Sequence, residues 1–290
     1  MKQFENKKRI VIKVGSSTLA YPTGHLNLRK CQHLIEVMSD IKNSGREVVF
    51  VTSGAQGVGA AQAGLPCKPT DIPGKQAVAA IGQSELMTFY SETFGKYNHT
   101  VAQLLLTRDV ISNKERRTNV INTFNRLFEM GVVPIINAND AISIKQLDFD
   151  ENDTLSAIVA SLCDADLLVM LTDVDGLYDG DPKQPGSKLI PVVEKITPEI
   201  VAAAQGAGSA LGTGGMLIVF SSLLFFIDQS PGVRTSSGRK SSPSPAEALR
   251  LRHADRRQAL RSAPLQKTFQ TTAAEFLSAE RQPIAATRGT

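Results

Sequence analysis

The chain has 290 residues, 42% hydrophobic and 21% charged, enough apolar material for one large α/β domain or two smaller ones. Its net charge of +4 invites a nucleic-acid reading, but eleven of the 32 Lys and Arg and only five of the 28 Asp and Glu lie after Met216. The body up to Met216 is therefore near −2 and the remainder near +6, which removes the main support for a nucleic-acid binder. Cys31, Cys67 and Cys163 are odd in number and contain no CxxC pair, which argues against a disulfide framework or a zinc site and for reduced thiols. No apolar h-region opens the chain, and its longest apolar run, Leu217 to Ile227, is interrupted by Ser221 and Ser222 and too short to span a bilayer. These features predict a soluble cytoplasmic protein with neither nucleic acid nor membrane as partner.

The first element is the run Lys8-Arg9-Ile10-Val11-Ile12-Lys13-Val14, which stops at Gly15-Ser16-Ser17. It has the β-branched texture of a buried parallel strand, and Lys13 is its anomaly, because a charge near the strand's carboxyl end is costly unless something anionic meets it. Gly15, Ser16 and Ser17 let backbone N–H groups close on a phosphate, with a helix start behind them. The alternative is a snorkelling lysine beside an ordinary turn.

Apolar residues at Cys31, Leu34, Ile35, Met38 and Ile41 predict an amphipathic helix from Leu28 to Ser44, with Gly45 where a C-cap belongs. The strand Glu47–Val51 then ends in Thr52-Ser53-Gly54-Ala55, repeating the strand, loop, helix unit and implying a parallel sheet. A long helix is expected over Lys75–Phe94, with Val78, Ile81, Leu86 and Met87 inward and Gly82 admitting a close neighbour. Thr100–Leu106 reads as the third strand. A helix beginning at Asn113 and capped by Gly131 leads to the fourth, Val132–Ile136, where Pro134 favours a place near one end or at an edge. That strand stops at Asn137-Ala138-Asn139-Asp140. Asp148 to Asp153 precede a helix over Thr154–Cys163, and a fifth strand, Asp166–Leu171, ends in Thr172-Asp173. A turn-rich loop covers Val174–Pro182, and a glycine-rich loop is centred on Leu211–Met216.

Most of these polar loops fall at the carboxyl ends of predicted parallel strands, where open α/β sheets bind ligands. No GxxxxGK[ST], no GxGxxG directly after a strand and no GxSxG elbow is present, and none of the four histidines lies in a candidate loop. What remains is a lysine, two glycine-bearing loops and several Asn and Asp, which are the parts phosphoryl transfer needs: cations and backbone donors for the moving charge and a clamp for the acceptor.

In order, Lys13-Val14-Gly15-Ser16-Ser17, Thr52-Ser53-Gly54-Ala55, Asn137-Ala138-Asn139-Asp140, Glu151-Asn152-Asp153-Thr154-Leu155-Ser156-Ala157, Leu171-Thr172-Asp173 and Gly212-Thr213-Gly214-Gly215-Met216 resemble the motifs of the glutamate 5-kinases, a group within the amino acid kinase family. The resemblance covers about residues 8–216. It implies an α/β fold, a three-layer αβα sandwich on a mainly parallel central sheet. It also implies ATP-dependent phosphorylation, with Mg²⁺, of the γ-carboxylate of L-glutamate to L-glutamyl 5-phosphate, the first step of proline biosynthesis. By motif match, Lys13 would hold the transferring phosphoryl group and Asp153 would orient that lysine. Ser53, Asp140 and Asn152 would bind glutamate, while Gly15, Thr172, Asp173, Thr213, Gly214, Gly215 and Met216 would meet the nucleotide. No protein metal ligand is implied. Feedback inhibition by proline and a homo-oligomer are further family expectations. Asp153 also has a plainer alternative, as N-cap of the helix from Thr154.

In the family the glycine loop runs on after its methionine into Thr-Lys, a second cation at the phosphates, whereas Val219 stands at the expected lysine position here. Residues 217–290 show no further strand and turn Ser, Pro and Arg rich, which predicts a kinase domain over 1–216, truncated in its nucleotide-binding half, followed by a divergent, largely disordered tail. Two alternatives stay open. One is a catalytically dead glutamate-binding fragment from a frameshifted or misjoined gene end. The other is a sibling kinase acting on aspartate, N-acetylglutamate or a nucleoside monophosphate, which Lys-Val-Gly-Ser-Ser disfavours.

Overall fold

Strands buried on both faces must be apolar on both, and the segments with that texture pair side by side. The computed structural model describes residues 7–107, 109–142, 151–172, 176–180, 184–190, 193, 197, 200 and 268–272. Its elements are β1 (Arg9–Val14), α1 (Ser16–Leu19), α2 (Leu28–Asn43), β2 (Glu47–Val51), α3 (Ala55–Gln62), α4 (Ile72–Gly95), β3 (Val101–Leu106), α5 (Asp109–Ser112), α6 (Lys114–Glu129), β4 (Val133–Ala138), α7 (Glu151–Leu162), β5 (Leu167–Thr172), β6 (Leu177–Tyr178), β7 (Leu189–Ile190) and β8 (Thr268–Thr272). Six strands form one sheet in the order β3-β4-β2-β1-β5-β8, every pairing parallel, and β6 pairs antiparallel with β7.

Alternation along β1 decides which helix layer each residue meets. Ile10, Ile12 and Val14 join Phe50, Ile135, Leu34, Ile35, Met38, Leu86 and Tyr90 in a core beneath α2 and α4. Val11 joins Val49, Val51, Met170, Phe124, Ile158 and Val159 in a second core beneath α6 and α7. Burying each large side chain contributes about 1.5–3 kcal/mol, so two such cores hold a three-layer arrangement. Lys13 follows Val11 on the α7 side, and its strand neighbours in register are Val51 and Met170.

The helix starts follow local chemistry. Asn27, Asp71 and Asn113 each accept, through a side-chain oxygen, a backbone N–H of the first turn of α2, α4 and α6. Gly45 and Gly131, at φ 87° and 68°, close α2 and α6 in the left-handed region. Helices α3 and α4 touch backbone to backbone: a Cβ on Gly59 would stand 1.7 Å from the Val78 carbonyl oxygen, and one on Gly82 would stand 1.9 Å from that of Ala55.

Several sequence expectations need correction. Ile81 is 41% exposed, because the buried stripe of α4 runs through Val78, Ala79, Gly82, Gln83, Leu86 and Tyr90. Pro134 is the second residue of β4, an interior strand between β3 and β2, so the strand-end expectation holds and the edge does not. The helix expected from Thr154 already includes Glu151, so Asp153 lies inside its first turn and is no N-cap. The loop over Val174–Pro182 contributes Leu177 and Tyr178 to a short hairpin. Most consequential, the stretch after Met216 does contribute a strand: Thr268–Thr272 pairs in parallel with Leu168–Thr172. Thr-Phe-Gln-Thr-Thr carries β-propensity but a single strongly apolar residue, so no hydrophobic pattern announces it.

Candidate active site

The carboxyl ends of β1, β2, β4 and β5 and the start of α7 converge on one end of the sheet, and the polar residues of the sequence motifs gather there. Lys13 is 8% exposed, one residue from the end of β1, and its ammonium forms an ion pair with Asp153 in the first turn of α7. The sheet's pleat puts Lys13 on the α7 face, and an acidic residue in a first helical turn suits the helix dipole, so both partners are placed by backbone geometry. A Cβ on Gly15 would stand 3.7 Å from Lys13 Nζ and 3.8 Å from Ser17 Oγ. With glycine there, the space between ammonium and hydroxyl stays open. The helix behind it, α1, has four residues, a single turn whose dipole contribution is correspondingly small.

Ser53 follows β2 and is 7% exposed. Its hydroxyl donates to the Val14 carbonyl at 2.9 Å, stitching the end of β2 to the end of β1. Gly54, at φ 92°, makes the left-handed step that starts α3, a conformation that side chains disfavour. One residue before Ser53, the buried Thr52 Oγ1 shares a 2.6 Å hydrogen bond with the Tyr90 hydroxyl, and the Thr52 N–H donates to the Ile136 carbonyl at 2.9 Å. The loop is thereby held to α4 and β4.

Asp140 lies two residues past β4 and accepts a hydrogen bond from Gln56 Nε2 of α3 at 3.1 Å. Burial raises its carboxyl pKa above the ordinary 3.8, and the Gln56 contact opposes that rise only in part. Asn152 Oδ1 is buried without a hydrogen-bond partner among the described residues. Thr172 ends β5. Asp173, Thr213, Gly214, Gly215 and Met216 lie outside the described residues, as does Val219. Among the described residues no group of three or more His, Cys, Asp or Glu could hold a metal ion. No helix among them is long and apolar enough to cross a membrane.

Two residues here are absent from the motif reading. Gln56 supports Asp140, and Gln83 on α4 lines a cavity of about 760 Å³ together with Ala55, Asn139 and Asp140. Gln83 did leave a trace in the sequence: with Ala79, Leu86 and Tyr90 it occupies the inward stripe of α4, where a glutamine is out of place.

The model of the amino acid kinase family matches residues 8–234, past Met216. A glutamate 5-kinase of Listeria innocua is 48% identical over 240 residues, covering 81% of this chain and 87% of that protein. A glutamate 5-kinase of Clostridium perfringens is 53% identical over 221 residues, covering 74% and 82%. Among solved structures, carbamate kinase from Giardia lamblia bound to AMP-PNP superposes with a TM-score of 0.56 at 14% identity, covering 95% of each chain. UMP kinase from Ureaplasma parvum gives 0.50 at 20% identity, covering 75% of this chain and 87% of that one. Those two likenesses speak for the fold alone. With a parallel sheet whose strand ends gather a paired lysine, a glycine-bearing loop and an acid, and a family match over most of its length, the chain belongs to the amino acid kinase family.

Proposed function

We propose that this protein transfers the γ-phosphoryl group of ATP to the γ-carboxylate of L-glutamate, forming L-glutamyl 5-phosphate and opening proline biosynthesis. The observation that carries this reading is Lys13, a nearly buried cation held by Asp153 at the mouth where the strand ends converge, in a chain 48–53% identical to proteins named glutamate 5-kinase. A carboxylate nucleophile is already ionised near pH 7, so attack on phosphorus needs no general base. That fits a site built from a cation and polar clamps without a histidine. Lys13 meets the oxygens of the transferring group and lowers the cost of charge spread over them, and Asp153 keeps its ammonium aimed.

Asp140 pairs with the substrate ammonium, and Asn152, whose buried Oδ1 has no hydrogen-bond partner among the described residues, supplies a second acceptor for it. Ser53 supports the substrate pocket while its own hydrogen is committed to Val14. Thr172, Asp173 and the Thr213–Met216 loop contact the nucleotide, which arrives as its magnesium complex with the metal carried mainly by phosphates and water. On the same reading the protein works in the cytoplasm as a homo-oligomer and is inhibited by proline.

Glutamate-dependent hydroxamate formation with ATP, Mg²⁺ and hydroxylamine tests this directly by trapping the acyl phosphate. Product with glutamate and little with aspartate is expected. A folded, glutamate-binding sample that makes none would identify a dead fragment, and preference for aspartate would identify a sibling kinase.

A further inference from the structure

Gln83 is 8% exposed, and its Nε2 is buried without a hydrogen-bond partner among the described residues. Its orientation is dictated by a relay from the backbone. The Ala138 N–H donates to Asn137 Oδ1 at 2.9 Å, so Asn137 turns its Nδ2 to Gln83 Oε1, at 2.8 Å. A backbone N–H can only donate, hence Oε1 is the accepting end of Gln83 and both Nε2 hydrogens are left over. A buried donor left unpaired is costly, yet Gln83 lines the same cavity as Asp140.

We infer that Gln83 is a specificity-determining residue whose Nε2 donates to the α-carboxylate of the amino-acid substrate. This rests on the proposed glutamate reaction. An amino acid carries its α-ammonium and α-carboxylate on one carbon, so an ammonium paired with Asp140 brings the carboxylate alongside it. A neutral, preoriented amide donor on the wall shared with Asp140 reads that group and ranks it above a neutral amide. Asn137, fixed by its own backbone, is the positioning residue behind it.

The test is titration calorimetry, which needs no turnover, with L-glutamate and with L-isoglutamine, whose α-carboxylate is a carboxamide. Gln83→Glu still accepts from Asn137 but offers the ligand a carboxylate in place of N–H donors. L-Glutamate binding is expected to weaken roughly 10- to 100-fold, the range for a lost hydrogen bond to a charged group, while L-isoglutamine binding improves. Equal weakening of both ligands, or no change in either, overturns the inference. Should Gln83→Glu fail to fold, Gln83→Met removes the donor without adding charge, and the preference for glutamate over isoglutamine then collapses toward unity if the inference holds and persists if it does not. A wild-type protein that binds glutamate and shows the exchanged preference in the variant, yet makes no hydroxamate, sinks the transfer reaction and leaves the role of Gln83 standing. Absence of glutamate binding by the wild type overturns both.

Discussion

Lys13, near the end of β1, and Asp153, in the first turn of α7, meet as an ion pair whose side chains are 10% and 12% exposed. Each charge is tolerated at that depth because of the other. Removing one partner strands a buried charge, which costs about 3–5 kcal/mol, whereas removing both eliminates the penalty along with the attraction. Lys13→Met and Asp153→Asn should therefore each lower the urea midpoint markedly, and the double variant should be less destabilised than the sum of the two. Additive losses would show that the pair does not act as a unit. In hydroxamate formation, both single variants should fall at least 100-fold in kcat, on the scale of a deleted electrostatic stabiliser.

On the proposed reading, Asp140 trades stability for binding. Its folded pKa lies above the ordinary 3.8 because of burial, with Gln56 offsetting part of the effect. The folded state thus holds that proton more tightly than the unfolded chain, so its contribution to stability is greatest at low pH. It is lost as pH rises from the ordinary value through the raised one. Above that window the ionised carboxylate is a constant cost. Asp140→Asn removes the cost, so the variant should be as stable as the parent or more stable at pH 7, with the difference vanishing in acid, while L-glutamate binding is lost. A variant less stable at pH 7 than in acid, relative to the parent, would contradict the sign. In the parent, glutamate affinity should fall on acidification at a higher pH than an ordinary aspartate would give.

Periodicity in the sequence reports burial, which is why the strands through Leu167–Thr172 and the two-sided cores around Ile12 and Val51 can be read from it. The polar motifs locate the site because they fall together at the carboxyl ends of parallel strands, where open α/β sheets bind ligands. Pairings remote in sequence are another matter. Nothing local in Asp153 says that it faces Lys13, and Gln56 belongs to a helix whose own pattern explains it without a ligand, whereas Gln83 shows only as a glutamine out of place on the inward stripe of α4. β8 stays hidden because pairing with β5 satisfies backbone groups, a need that every sequence shares.

Two glycines of α4 should respond to alanine in opposite directions. At Gly82 a Cβ would fall 1.9 Å from the Ala55 carbonyl oxygen and 2.5 Å from the Gly59 nitrogen, both backbone atoms that cannot swing aside. Helix α3 must retreat, at a cost of about 1–3 kcal/mol or more, and it takes with it the Gln56 that supports Asp140. Gly82→Ala should lose stability and raise the glutamate KM together. Gly95, the last residue of α4, meets nothing within 4 Å, and its alanine variant should gain up to about 1 kcal/mol from helix propensity with unchanged kinetics. Thermal unfolding of the two variants checks the packing, and a stabilised Gly82→Ala would rule out the close approach of α3 and α4.

The three cysteines give a chemical check on the layers. Cys31 of α2 faces the first core and donates to the Leu19 carbonyl at 3.3 Å; Cys163 follows α7 in the second core; Cys67, between α3 and α4, is exposed. Burial pushes the Cys31 thiol up to about 11 and the Cys163 thiol up to about 12, so neither offers a reactive thiolate near neutral pH. An aromatic disulfide reagent at pH 8 should release one equivalent of chromophore quickly from the native protein and three after denaturation. Peptide mapping should place the fast label on Cys67, and Cys67→Ser should abolish the fast phase without changing the other two. Rapid labelling of Cys31 or Cys163 in the native protein would mean that the corresponding helix layer does not seal the sheet. Protection of both, lost together with kinase activity along a urea titration, would tie the integrity of the two layers to that of the site between Lys13 and Asp140.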